Sequence, residues 1–435
     1  MHPDRAVPWY KELNRYHWFV LIVASLGWMF DTMDQQLFNL ARRPAIIELL
    51  PAGADLADVN KYAGYSTTIF MLGWASGGIL FGILGDRLGR VKTMIATILF
   101  YSLFTGLSAL SRNVWDFSLY RLLTGLGVGG QFAVGVALVA ETMPDRARPF
   151  ALGWLQALSA IGNMTAALVG MALGTLEQSG AVDSSWRWMF VVGTLPALLA
   201  IVVFTKLKEP EAWTRARAHK EKMGSIRELF GDPRWRRNSI VGMLLASAGV
   251  IGLWGIGFFS FDLLRSVLQK TARAEEATFW TGVTSFMQNG GAFLGIYAFT
   301  RITHYTGRRI AFAFSFIAAM LATAFTFWKL NDVTDIFWMI PIMGFCQLAL
   351  FGGYAIYLPE LFPTRLRSTG TSFCYNVGRY IAAAGPFTLG LLASQVFNDQ
   401  PEPLRYAGIT MCAAFLIGLL ALPFAPETRG KPLPE

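Results

Sequence analysis

Residues 141–148 read ETMPDRAR and residues 360–367 read ELFPTRLR, so Glu, Pro, Arg and Arg recur in one order with every position displaced by 219 residues. Gly89-Arg90 returns as Gly307-Arg308 after 218 residues, and Pro210-Glu211 returns as Pro426-Glu427 after 216. These echoes make the 435-residue chain one half-length unit used twice. In a membrane protein, such duplication goes with a central site opened alternately from two sides.

Hydrophobic residues are 54% of the chain and charged residues 15%, too little polar surface to cover a soluble core of that size. Apolar runs of about 20 residues, each enough to cross roughly 30 Å of hydrocarbon as helix, begin near Trp18, Gly64, Thr93, Phe117, Phe150 and Trp188. Six more begin near Ser239, Phe279, Ile310, Ile336, Gly370 and Ala407. Twelve spans put both termini on one side. The loops on that side, GDRLGRVK, PDRARP, the long segment 206–238, RITHYTGRR, PTRLRS and PETRGK, hold most of the 37 Lys and Arg with the N-terminal tail. Both termini are therefore expected to be cytoplasmic, in a bacterial inner membrane. This clustering accounts for the net charge of +9 without nucleic acid as a partner.

The expected domains are 1–205 and 237–435, joined by the charged connection 206–236. Within it, Ser225-Ile-Arg-Glu228 resembles a capping box before a short interfacial helix. The polar start and the many later apolar runs read as a retained first span, not a cleaved signal. Cys346, Cys374 and Cys412 make neither a disulfide framework nor a metal-ligand spacing. No metal or cofactor is expected, and no nucleophile–base arrangement or pair of Walker motifs is present to mark an enzyme.

Gly82-x-x-x-Asp86-Arg87-x-Gly89-Arg90-x-Lys92 resembles the signature loop of the major facilitator superfamily, and Arg121-x-x-x-Gly125-x-Gly127 its fourth-helix motif. More narrowly, Gly27-Trp-Met-Phe-Asp31-Thr-Met-Asp34, Tyr375-Asn-Val-Gly378-Arg379 and Gly385-Pro386 resemble the nicotinate and aromatic-acid proton symporters and the organic-ion transporters; PETRGKPL is also similar to sugar porters. The resemblance implies an all-α membrane protein of twelve transmembrane helices in two pseudo-symmetric six-helix bundles that rock about a central site. It also implies a monomer driven by the proton gradient.

Physical chemistry assigns the basic loops a part in that motion. Glu141 and Glu360 end their helices before a proline and two arginines, Arg146 and Arg148 or Arg365 and Arg367. With Asp86, Arg87, Arg90 and Arg308 they supply charge-assisted hydrogen bonds for a cytoplasmic gate. Topology charge and helix-end neutralisation are the plainer alternative. His304 stands where Asp86 has its counterpart, so the second latch should be weaker.

Polar residues inside spans point to the transport chemistry. Asp31 and Asp34 lie at i and i+3 on the first span, and Arg121 enters the fourth span at the depth of Asp34. An Asp34–Arg121 pair that opens on protonation would couple protons to conformation, the role this pair has in the resembling symporters; a permanent salt bridge is the alternative. Asp31 reads as a second proton carrier, a substrate contact or a helix anchor. Arg379, near mid-membrane, offers a planar fork to a carboxylate or else pairs with Asp31. Gln131, Gln156, Ser159, Asn163, Gln288, Asn289, Gln347 and Asn376 add neutral donors and acceptors, and Trp254, Phe258, Phe259, Tyr354 and Tyr357 an aromatic wall. Interhelical glue and packing are the competing roles. The expected function is proton-coupled symport of a small organic anion; the alternatives are a sugar or polyol symporter and a solute-binding membrane sensor.

Overall fold

The computed structural model describes residues 8–51, 53–54, 56–219, 221–257, 260–270 and 277–434, whose regular elements are all helical. The first half contains α1 (Arg15–Leu49), α2 (Leu56–Arg87), α3 (Arg90–Ser108), α4 (Val114–Thr142), α5 (Arg148–Gln178), α6 (Ser185–Val192) and α7 (Pro196–Lys206). The connection carries α8 (Glu211–Ala218) and α9 (Ile226–Gly231). Next come α10 (Pro233–Val250), a π turn at Ile251–Ile256, α11 (Ser260–Lys270), α12 (Ala277–Thr306), α13 (Arg308–Lys329) and α14 (Met339–Glu360). The chain finishes with α15 (Arg367–Ala382), α16 (Gly385–Leu391), α17 (Pro403–Met411) and α18 (Phe415–Ala421).

Local chemistry sets the helix ends. Asn113 caps α4 by accepting from the Trp115 and Asp116 amides at 2.9 Å each, and Asp232 caps α10 ahead of Pro233. Ser225 accepts from the Glu228 amide at 3.2 Å and starts α9. The α2–α3 turn needs Gly89, with φ +114°, and the α12–α13 turn needs Gly307, with φ +92°. A Cβ at these positions would stand 2.3 Å from Glu209 Oε1 and 2.8 Å from Glu427 Oε2.

Those carboxylates reveal a closer internal symmetry. Glu209 accepts from the Arg90, Val91 and Lys92 amides at the start of α3, and Glu427 from the Arg308 and Arg309 amides at the start of α13. The counterpart of Glu427 is thus Glu209 and not Glu211, which corrects the 216-residue echo to the 218 of Gly89 and Gly307. A further match is Arg187, which donates to Ala109 O and Ser111 O beyond α3; Arg405 donates to Phe327 O, Trp328 O and Leu330 O at the end of α13.

Among the described residues, nine helices are long and apolar enough to cross a membrane. The other three expected spans, α1, α12 and the interrupted α15–α16, are helical but fall outside that set. Their sequences explain it: α1 carries Asp31, Asp34, Gln35 and Gln36; α12 carries Ser285, Gln288 and Asn289; α15 carries Asn376 and Arg379. All of these are buried against protein, as polar side chains at membrane depth must be.

Helix α4 is the most enclosed. Glycines on α2 and α4 let the two backbones touch: a Cβ at Gly77 would lie 2.0 Å from Leu126 O, and one at Gly129 2.1 Å from Trp74 O. The halves meet along two long seams, α5 with α12 and α2 with α15. A cavity opens between them.

Candidate functional site

The cavity holds about 570 Å³ of atom-free space, its open side included. Helix α1 presents Trp28, Thr32, Gln35 and Gln36 to it, one helical face at i, i+4, i+7 and i+8. Gln156, Ser159 and Asn163 come from α5, and Ser285, Gln288 and Asn289 from α12. Trp74, Trp254, Phe351, Tyr375 and Arg379 also line it.

Arg379 is 1% exposed. One amine, Nη1, donates to Asn376 Oδ1 at 2.8 Å and to Tyr375 O at 3.1 Å, while the guanidinium carbon lies 4.1 Å from the Trp74 ring centre and 4.3 Å from that of Tyr375. Nε has no hydrogen-bond partner. Among the described residues no carboxylate reaches Arg379, so the alternative of an Asp31–Arg379 pair is not realised. The reason is the pitch of α1, which turns Asp31 away from the cavity and toward Tyr101 of α3.

The charged cluster lies on that other face. Asp34 accepts from Thr105 Oγ1 at 2.8 Å, and its second oxygen is 3.6 Å from Arg121 Nη1, an ion pair too long for a hydrogen bond. Arg121 is held separately by Ser108 Oγ at 2.7 Å and Thr124 Oγ1 at 2.9 Å, and lies over Phe190 at 4.5 Å. Neither Asp31 oxygen has a hydrogen-bond partner. Asp31, Asp34 and Arg121 therefore form one buried charged cluster that does not line the cavity.

The neutral candidates divide. Gln156 accepts from Trp28 Nε1 at 3.1 Å, and Asn163 donates to Asn289 Oδ1 at 2.9 Å across the α5–α12 seam. Gln131, Gln347, Asn376 and Tyr354 do not line the cavity. Gln131 accepts from Thr97 at 2.8 Å and packs on Gly27; Gln347 donates to Thr323 at 2.7 Å; Asn376 stands behind Arg379. The hydroxyls of Tyr354 and Tyr357 are spent on Leu245 O and Pro426 O. Trp254 does line it, stacked edge-on to Trp74 at 5.5 Å, whereas Phe258 and Phe259 are outside the described residues. Sequence reasoning missed Gln35 and Gln36, although two amides directly after Asp34 in an apolar span were the available signal. Gln36 donates to Ser285 Oγ at 3.0 Å and so bridges the halves.

At the basic end, Arg90 grips Glu141 with Nε and Nη2 at 3.0 and 2.7 Å, and Arg308 grips Glu360 at 3.0 and 2.8 Å. Arg367 adds Nη1 to Glu141 at 2.8 Å. Asp86 pairs with Arg90 at 3.1 Å and accepts from the Ser368 and Thr369 amides, 3.2 and 2.8 Å away, at the start of α15. The remaining gate candidates are placed elsewhere. Arg146 pairs with Glu12, Arg148 with Asp145, and Arg365 with Glu228 of the connection; Arg87 is exposed and has no ion-pair partner among the described residues. Arginines at loop ends reach whichever acid the local turn brings near, which spacing alone does not reveal.

A model of the Major Facilitator Superfamily matches residues 25–386. The cis,cis-muconate transport protein of Acinetobacter baylyi is 31% identical over 431 residues, covering 97% of this chain and 98% of that protein. The niacin transporter NiaP of the same organism is 27% identical over 451 residues, covering 97% and 96%. In fold, the chain is similar to the solved proton:xylose symporter XylE, with a TM-score of 0.78, 17% identity and coverage of 96% and 98%. Helices fit to span a membrane, a polar cavity lined from both halves and a match over most of the chain agree: it is an integral membrane secondary transporter, not an enzyme, and belongs to the Major Facilitator Superfamily.

Proposed function

We propose that the chain is a proton-coupled symporter of a small organic carboxylate, working by alternating access between two six-helix bundles, residues 1–205 and 237–435. The basic end then faces the cytoplasm of a bacterial cell, with both termini, and one monomer is the working unit. The observation that carries this reading is Arg379: a buried guanidinium in the cavity wall with an unpartnered Nε and no carboxylate of the described residues in reach. A buried cation without a counter-ion is costly, and a substrate carboxylate supplies both the charge and the fork-shaped acceptor. The names of the muconate and niacin transporters fit such a cargo.

Coupling runs through α1. One face carries the cavity residues Trp28, Thr32, Gln35 and Gln36, and the other carries Asp31 and Asp34, so a change of charge at Asp34 acts on the helix that touches substrate. Arg121 keeps its hydroxyl and aromatic partners when Asp34 is protonated, which lets the pair open without stranding the cation. With Asp34 protonated and a carboxylate on Arg379, the bundles rock and the Glu141 and Asp86 contacts at the basic end part. Proton release then resets the cycle.

The amide-rich wall of Gln156, Asn163, Gln288 and Asn289 favours a second reading, a sugar or polyol symporter in which Arg379 is structural. Thermal stabilisation of purified protein by carboxylates, sugars and polyols separates the two. Carboxylates are expected to stabilise the native chain and to lose that effect in Arg379→Ala. Stabilisation by neutral polyols, equal in both proteins, would overturn the carboxylate assignment.

A further inference from the structure

The α5–α12 seam opens a second crevice toward the basic end, walled by Trp9, Phe150, Trp154, Phe293, Tyr297 and Arg301. By helical rise its residues lie roughly 3–14 Å from the start of α5 and 8–20 Å from the end of α12, the zone where acyl chains meet headgroups. Its rim is apolar and faces outward: Trp154 is 37%, Tyr297 45% and the adjoining Leu294 59% exposed. Trp9 stacks flat on Phe150, with ring centres 5.6 Å apart and planes inclined by 7°, closing the crevice on the side of the basic loops.

Charge distinguishes this crevice from ordinary lipid-facing surface. The exposed guanidinium of Arg301 lies 5.9 Å from the Tyr297 ring centre and 6.0 Å from that of Phe150, and no acidic side chain among the described residues pairs with it. The charges of Arg429, Arg308, Arg146 and Arg301 all act on His304 near this end. Glu12 neutralises Arg146 and Glu360 neutralises Arg308, which leaves a positive surplus at the mouth. An aromatic slot with an unpaired cation at headgroup depth matches a ligand with an apolar tail and an anionic head.

We propose that this crevice binds an anionic glycerophospholipid, with its phosphate on Arg301 and an acyl chain lying over the exposed faces of Trp154 and Tyr297. The floor of the site is the contact where a Cβ at Gly153 would stand 2.1 Å from Thr300 Oγ1, so α5 and α12 pack directly on each other beneath the lipid. A lipid seated there contacts both α5 and α12 and favours the arrangement closed at the basic end. The inference rests on the basic end lying at a membrane surface and is independent of what the central cavity carries.

Native mass spectrometry of the full chain in detergent tests it, with phosphatidylglycerol, phosphatidylcholine and inorganic phosphate as separate probes. Phosphatidylglycerol should be retained in preference to phosphatidylcholine. Arg301→Gln should cut that preference about fivefold, the worth of one interfacial cation, whereas Arg301→Lys and the control Arg234→Gln should keep it. Trp154→Ala should shorten retention of the lipid. Equal retention of both lipids by the native chain, an undiminished preference in Arg301→Gln, or binding of inorganic phosphate without lipid preference would each overturn the proposal. Substrate uptake measured on the same preparations separates this outcome from failure of the transport reading.

Discussion

Arg367 donates Nη1 to Glu141 Oε1 at 2.8 Å, adding a hydrogen bond from the second half of the chain to a carboxylate already held bidentately by Arg90 of the first. The matching contact is missing. Arg148, the counterpart of Arg367, donates to Ala140 O at 2.8 Å and pairs with Asp145, and Glu360 is left to Arg308 and Thr428. The same asymmetry recurs one turn away: Asp86 receives the amides that open α15, while His304, its counterpart, faces Phe150 at 5.0 Å. Of the two motif glutamates, Glu141 joins the halves, and Glu360 is held within its own.

Glu141→Gln and Glu360→Gln should therefore differ in kind. Each strands buried arginines and should cost about 3–5 kcal/mol if nothing relaxes, read as a lower Tm for both. Only Glu141→Gln should raise labelling of a cavity cysteine, Ser159→Cys, from the side of the basic loops, by several-fold. Equal labelling in both variants would show that the asymmetry has no part in gating.

Asp34→Asn keeps the size of the side chain and removes its proton equilibrium. Accumulation driven by a proton gradient in proteoliposomes should fall to the level of passive exchange, while counterflow persists. Undiminished uphill uptake by this variant would sink the coupling role of Asp34 and leave the Arg121 pair a structural bridge.

Glu427 predicts an acid limb of stability. Burial pushes its carboxyl up, but the backbone N–H groups of Arg308, Arg429 and Arg309, with the Arg308 charge, outweigh that and hold its pKa below the ordinary glutamate value. A depressed folded pKa stabilises above the unfolded value, and that contribution is lost as pH falls through the folded one. Below about pH 4.5, the Tm of the native chain should drop more steeply than that of Glu427→Gln, the two converging in acid and separating toward neutrality. Parallel Tm curves across that range would remove Glu427 from the pH response.

Much of the ion network was legible because repetition and charge are written in the chain. The members of the Arg90–Glu141 and Arg308–Glu360 grips are matched across the repeat, although the repeat points each glutamate equally to the arginines just beyond it, and Asp34 with Arg121 follows a depth count along helices of known rise. Less legible was which face of a helix a polar residue takes. Gln131 and Gln347 look as available to a substrate as Gln156 does, yet both are turned to threonines on neighbouring helices. Asp31 and Gln35 are four residues apart on α1, but only Gln35 reaches the cavity, because the cavity samples a narrow arc of that helix.

By itself, the sequence determined that this chain is helical, membrane-bound and duplicated, because apolar run length, loop charge and an offset of 218–219 residues are local properties that need no partner to be read. Only the tertiary structure decided that Arg379 has no acid partner among the described residues, that Arg367 and not Arg148 crosses to the other half, and that Glu209 is the true mate of Glu427. Such outcomes depend on helix rotation and on distances of a few ångströms between segments far apart in the chain, and the energy of a buried charge depends on those distances most steeply of all.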